Sequence, residues 1–79
     1  MDELRATWAR RLREIRTRQG LTQEQVAALI GVRQRMLSAY ELGIHVPRDD
    51  VRIALAAALG VRVRDLFPYP DDDESGAAA

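Results

Sequence analysis

Apolar residues recur at helical spacing along most of the chain. Leu4, Trp8, Leu12 and Ile15 follow at intervals of four, four and three, one apolar stripe of a helix over residues 4–19. Arg5, Arg10, Arg11, Arg13, Arg16 and Arg18 fill its other faces, and Gly20 suits the left-handed residue that ends a helix. Thr22 then stands where an N-cap belongs, with Gln25 three residues on to complete a capping box. Leu21 before the cap and Val26 inside it form a hydrophobic staple. Val26, Ala27 and Ile30 make the inner face of a short second helix that stops at Gly31. A third helix runs from about Arg33 to Leu42. Leu37 and Tyr40 face inward, and Gln34, Arg35, Ser38 and Ala39 face outward. It has no good N-cap, since Arg33 holds that place, at an expected cost of up to about 1 kcal/mol.

A loop over 44–48, closed by Pro47, leads to a fourth helix over 50–59. Asp49 or Asp50 is expected to cap it, and Ile53, Leu55, Ala56 and Leu59 to supply its inner surface. Gly60 ends it. A fifth turn over 63–67 brings Leu66 and Phe67 to the core. Pro68-Tyr69-Pro70 and the residues after it read as a disordered acidic tail, which divides the chain into a folded part, 1–69, and a tail, 70–79. Neither strand patterns nor internal repeats occur, so the expected class is all-α with five helices.

Composition narrows this picture. At 79 residues and 47% hydrophobic the chain is long enough for one small globular domain. With no cysteine and one histidine, disulfides are excluded and a zinc cluster is not expected. The core has to rest on helix packing, for a net stability of roughly 3–5 kcal/mol. The acidic start Met1-Asp2-Glu3 has no apolar stretch behind it, which argues against a secretory signal. The uncharged apolar run Ile53 to Val61 is far too short to span a bilayer. A cytoplasmic protein without a membrane partner is expected.

The net charge is zero, but it is unevenly spread. All twelve bases are Arg, and residues 5–48 carry nine of them against Glu14, Glu24 and Glu41. Asp71 to Glu74 are four consecutive acids, so a basic body is masked by an acidic end. A basic body is the electrostatic footprint of a polyanion partner. The chain shows no Ser/His/Asp arrangement on defined elements and no Gly-rich phosphate loop. His45 is a lone loop histidine. The pattern points away from an enzyme, and no cofactor or small-molecule ligand is evident.

Two short helices joined by a tight glycine turn are the core of a helix-turn-helix, in which the second helix stands out so that its first residues reach base edges. Ala27 is small where the two helices cross, and Gly31 permits the turn. The spaced set Leu12-Arg-Glu-Ile-Arg16, Gly20-Leu-Thr-Gln-Glu-Gln-Val-Ala27, Ile30-Gly31-Val32, Leu37-Ser-Ala-Tyr-Glu41-Leu-Gly43, Pro47, Ile53-Ala-Leu, Leu59-Gly-Val61 and Leu66-Phe67 resembles the Cro/repressor (XRE-like) helix-turn-helix family over residues 8–67. The resemblance implies a five-helix, lambda-repressor-like domain that binds double-stranded DNA. Helix three becomes the recognition helix. Gln34 matches the position that commonly faces a base, with Arg35, Ser38 and Ala39 beside it. Gln23 matches a glutamine that binds a phosphate and braces the recognition helix. Thr22, Arg33, Arg48 and Arg11 are the other expected phosphate contacts, and Arg16 with Glu41 matches a structural ion pair. Family members usually act as dimers, and the expected dimer surface is Val63, Leu66, Phe67 and Tyr69.

The chain departs from the family pattern where Ser or Thr often caps at positions 33 and 62, since both are Arg here. After Gly43 the family often carries Lys, Arg or Asn, whereas Ile44, His45 and Val46 are mostly apolar. Three readings follow. The first is a dimeric sequence-specific regulator, most simply a repressor on a palindromic operator. The second is an antitoxin or adaptor domain whose main partner is a protein. The third is a non-specific architectural DNA binder.

Overall fold

The computed structural model describes residues 2–69; the expected tail at 70–79 lies outside the described residues. Five helices follow in order: α1 (Glu3–Arg18), α2 (Gln23–Ile30), α3 (Gln34–Glu41), α4 (Asp49–Leu59) and α5 (Val63–Leu66). No strand occurs among the described residues, and the all-α expectation holds. Among the described residues, no helix is long and apolar enough to cross a membrane.

The apolar stripe of α1 is buried as its spacing requires. Trp8 and Leu12 enter the core, and Leu4 and Ile15 pack at its margin. Asp2, unnoticed in the sequence, caps the helix by accepting from the Arg5 amide at 2.7 Å. Arg16 and Arg18 sit in the last turn, where cations offset the helix dipole. Gln19 Nε2 then donates to the Leu59 carbonyl at 2.6 Å, tying the end of α1 to the end of α4.

The core gathers Trp8, Leu12, Val26, Ala27, Leu37, Leu55, Ala56, Leu59, Leu66 and Phe67. Thus α2 packs on α3 and α4, α1 on α3 and α5, and α4 on α5. The aromatic end is held by two directional contacts. Trp8 meets Phe67 edge-on at 5.3 Å, and its Nε1 donates to the Pro68 carbonyl at 2.7 Å. Arg52 lies over the Trp8 ring at 4.8 Å while its Nη1 donates to the Pro47 carbonyl at 2.7 Å.

Two expectations for α4 are corrected. The N-cap is Arg48, without a side-chain cap bond; Asp49 and Asp50 lie inside the first turn, where their charge still suits the dipole. Ile53 is 60% exposed rather than inward. It stands two residues, about 200°, from Leu55 around the helix. With Leu55, Ala56 and Leu59 buried and Val51 packed beside them, Ile53 falls on the opposite face.

The turn between α2 and α3 depends on Gly31 at φ 76°, the left-handed region. An added Cβ would meet nothing within 4 Å, so an alanine there would cost backbone strain alone. Gly31→Ala is expected to destabilise by about 1–2 kcal/mol and to lower the Tm by about 4–8 °C per kcal/mol. A thermal melt checks this, and an unchanged Tm would contradict it.

Candidate nucleic-acid interface

The site is built on the two helices that flank Gly31. The Val32 amide donates back to the Ala27 carbonyl at 3.0 Å, the bond that the left-handed Gly31 permits at the end of α2. The capping box on α2 forms as expected. Thr22 Oγ1 accepts from the Gln25 amide at 3.0 Å, and Gln25 Oε1 accepts from the Thr22 amide at 2.8 Å. The amides of Gln23 and Glu24 are left as first-turn groups that no helical carbonyl can reach. They open at the end of a helix that favours an anion. The groove beside them is lined by Arg16, Thr17, Thr22, Gln23, Glu24 and Gln34, among others.

Arg33 stands as N-cap of α3 with no side-chain cap bond, as its sequence position implies. Gln34 and Arg35 are exposed on the first turn of α3, and Ser38 and Ala39 are half-buried one turn on. Leu37 anchors the helix in the core. Gln34 and Arg35 are thus open to solvent, and Ser38 and Ala39 partly so.

A chain of hydrogen bonds joins this face to the protein body. Arg16 donates from Nε to Glu41 Oε2 at 2.5 Å and from Nη2 to Glu41 Oε1 at 2.9 Å. Its Nη1 donates to the Leu21 carbonyl at 2.7 Å. The pair is buried, with 11% of the Arg16 side chain and 2% of the Glu41 side chain exposed. The hydrogen bonds that Arg16 donates to Glu41 raise its pKa above the ordinary value. Gln23 Nε2 then donates to Glu41 Oε1 at 3.0 Å, and Gln34 Nε2 donates to Gln23 Oε1 at 3.1 Å. Arg16 and Glu41 are thus paired, and Gln23 lies between the pair and Gln34. The link from Glu41 to Gln23 was not visible in the sequence, where the two stand eighteen residues apart.

Other expected residues are placed differently. Arg11 does not face the groove: its Nε and Nη2 donate to the Asp65 carbonyl at 2.8 and 2.5 Å, fastening α1 to α5. Arg48 is highly exposed, with its Nε 3.9 Å from Asp50. Of the residues expected at a dimer surface, Leu66 and Phe67 are 0% and 2% exposed. They fill the core and have no side-chain surface to share with a partner. Val63 and Tyr69 remain exposed. Arg62 lacks a hydroxyl cap, and Asp65 takes over that task by accepting from the Arg62 amide at 3.2 Å and from its Nε at 3.0 Å. The Arg62 hydrogen bonds hold the Asp65 carboxyl below its ordinary pKa. Among the described residues, no three His, Cys, Asp or Glu converge as a metal site would require.

Comparisons with known proteins agree with this geometry. A helix-turn-helix family profile matches residues 12–66. An uncharacterised HTH-type transcriptional regulator of Archaeoglobus fulgidus is 33% identical over 63 residues, covering 80% of this chain and 90% of that protein. The crystal structure of the restriction-modification controller protein C.AhdI from Aeromonas hydrophila superposes with a TM-score of 0.76 at 35% identity, over 78% of this chain and 94% of that one. That of a hypothetical transcription factor from Neisseria does so with a TM-score of 0.79 at 30% identity, over 92% and 84%. With the turn at Gly31, the exposed face of α3 and a match over most of its length, the chain belongs to the Cro/repressor (XRE-like) helix-turn-helix family and is a transcriptional regulator with a helix-turn-helix DNA-binding domain.

Proposed function

We propose that this regulator reads a palindromic operator in the major groove as a homodimer and represses the promoter that contains it. The carrying observation is the placement of Gln34, exposed at the start of α3 and held from behind by Gln23. One N–H of its amide is spent on Gln23. The other N–H and the carbonyl oxygen form the donor–acceptor pair that adenine N7 and N6 require. Arg35 stands one residue on, where it reads guanine or clamps a phosphate, and Ser38 and Ala39 are small enough for close groove approach. Thr22, Gln23, Arg33 and Arg48 are the proposed phosphate contacts, within a binding domain over residues 1–69. Arg11 leaves that set because its guanidinium is occupied by the Asp65 carbonyl.

One copy offers few base contacts. Two copies on half-sites about 34 Å apart double them and explain why a palindrome is needed. Occupancy of such a site inside a promoter blocks it sterically, the simplest route from binding to repression. Val63 and Tyr69, exposed at the α5 end, are the proposed contacts between copies. The exposed Leu42, Ile44 and Val46 favour a second reading, a protein partner on the loop after α3.

Selection from a random duplex library tests the proposal. Two inverted half-sites about 10 bp apart are expected, with retention that weakens steeply as salt rises. Gln34→Ala is expected to cost about 1–3 kcal/mol at one base pair of each half-site and to relax preference there. Uniform weakening on all sequences would contradict base reading. No retention even at low salt would favour the protein-partner reading.

A further inference from the structure

The orientation of the Gln34 amide is traceable to a buried charge. An ionised carboxylate can only accept hydrogen bonds. Glu41 Oε1 therefore obliges Gln23 to turn its NH2 group inward, as the 3.0 Å contact shows. Gln23 is left with only its carbonyl oxygen toward α3. Gln34 must answer that oxygen with an N–H, as it does at 3.1 Å. Donation runs from Gln34 to Gln23 and ends at Glu41, the acceptor that fixes the direction of both amides. A neutral amide at position 41 could present either its oxygen or its NH2 group, so Gln23 and Gln34 could flip together. A flipped Gln34 offers donor and acceptor in exchanged places and no longer matches the same base edge.

We propose that Glu41 is a positioning residue for base readout: its carboxylate, acting through Gln23, sets the direction of the Gln34 amide and so the base pair preferred there. The inference rests on the base-reading role proposed for Gln34. It gives Glu41 a task beyond the ion pair with Arg16, and the two tasks can be separated. Arg16→Lys weakens the pair, since one ammonium cannot reproduce the paired contacts of the guanidinium and its bond to the Leu21 carbonyl. It leaves the carboxylate facing Gln23. Glu41→Gln is nearly isosteric but removes the acceptor-only anchor.

The experiment measures Kd on the selected operator and on operators changed at the base pair that Gln34 reads, at a temperature where each variant is folded. Both Glu41→Gln and Arg16→Lys are expected to lower the Tm. Only Glu41→Gln is expected to shrink the preference at that base pair, by roughly five- to tenfold, about one hydrogen bond's contribution, with preferences elsewhere in the site retained. If Glu41→Gln does not fold, Arg16→Met/Glu41→Gln, which leaves no unpaired buried charge, replaces it with the same expectation. Preference retained in the Glu41 variant, or lost equally in Arg16→Lys, would overturn the inference. Gln34→Ala is run alongside. An unchanged ratio there would instead remove base reading by Gln34, and the positioning role with it.

Discussion

Arg16→Met is expected to destabilise the fold by about 3–5 kcal/mol, because it leaves a buried carboxylate without its counter-ion. Glu41 would keep one side-chain donor, Gln23, where it now has three donor contacts. The Leu21 carbonyl would lose its bond from Nη1 as well. A loss of that size is comparable to the whole stability of a domain this small, roughly 3–5 kcal/mol, so the variant is expected to be largely unfolded at 37 °C. Far-UV circular dichroism during a melt measures it. The double variant Arg16→Met/Glu41→Leu, which removes both charges, is expected to regain most of the loss. A single variant melting within two or three degrees of the parent, about 0.5 kcal/mol, would mean that the pair is not the brace described here. The pKa shift on Arg16 is upward. Its stabilisation is therefore fully present below the ordinary arginine pKa and is lost only as pH rises through the higher folded value. The arginine side of the pair thus gives no pH dependence between about pH 5 and 9.

Phe67→Ala is expected to cost about 3–5 kcal/mol through the cavity it opens. Phe67 is 2% exposed and meets Trp8 edge-on, so its loss removes both burial and an aromatic contact. The same residue was expected from the family resemblance to serve a dimer surface, and the two roles make different measurements. For a core residue, the variant melts far below the parent at every protein concentration. For an interface residue, sedimentation would show a shift toward monomer with the fold of each copy intact. The core outcome is expected. Val63→Asp, by contrast, changes an exposed side chain. It is expected to weaken association of the copies with little change in the fold of each.

The helices, the capping box of α2 and the turn were legible in the sequence because each depends on residues within one or two turns of chain. The Asp2 cap of α1 was missed, and the cap of α4 was misplaced on Asp49 or Asp50. The stripe Leu4, Trp8, Leu12 and Ile15 needs only the 3.6-residue period, the Thr22/Gln25 box only a three-residue spacing, and Gly31 only its freedom to take φ 76°. Local spacing also placed Gln34, Arg35, Ser38 and Ala39 off the buried line of Leu37 and Tyr40, and the first two are exposed. The pairing of Arg16 with Glu41 was available only through the family pattern, since nothing local connects residues 25 positions apart. Both faces of α4 carry apolar residues, and the sequence pattern put Ile53 on the inner one; packing against α2 and α5 instead sent Val51 inward and Ile53 outward. Which carbonyl a long guanidinium reaches is likewise decided across the fold. Arg11 found Asp65 and Arg52 found Pro47 and the Trp8 ring because burial left those acceptors within reach. The sequence by itself determined five helices, the glycines that end α2 and α4, and the exposure of Gln34 and Arg35 at the start of α3. The tertiary structure alone decided that Leu66 and Phe67, expected both in the core and at a dimer surface, belong wholly to the core, and that a buried carboxylate stands two hydrogen bonds behind Gln34, because both follow from how distant segments share a small interior.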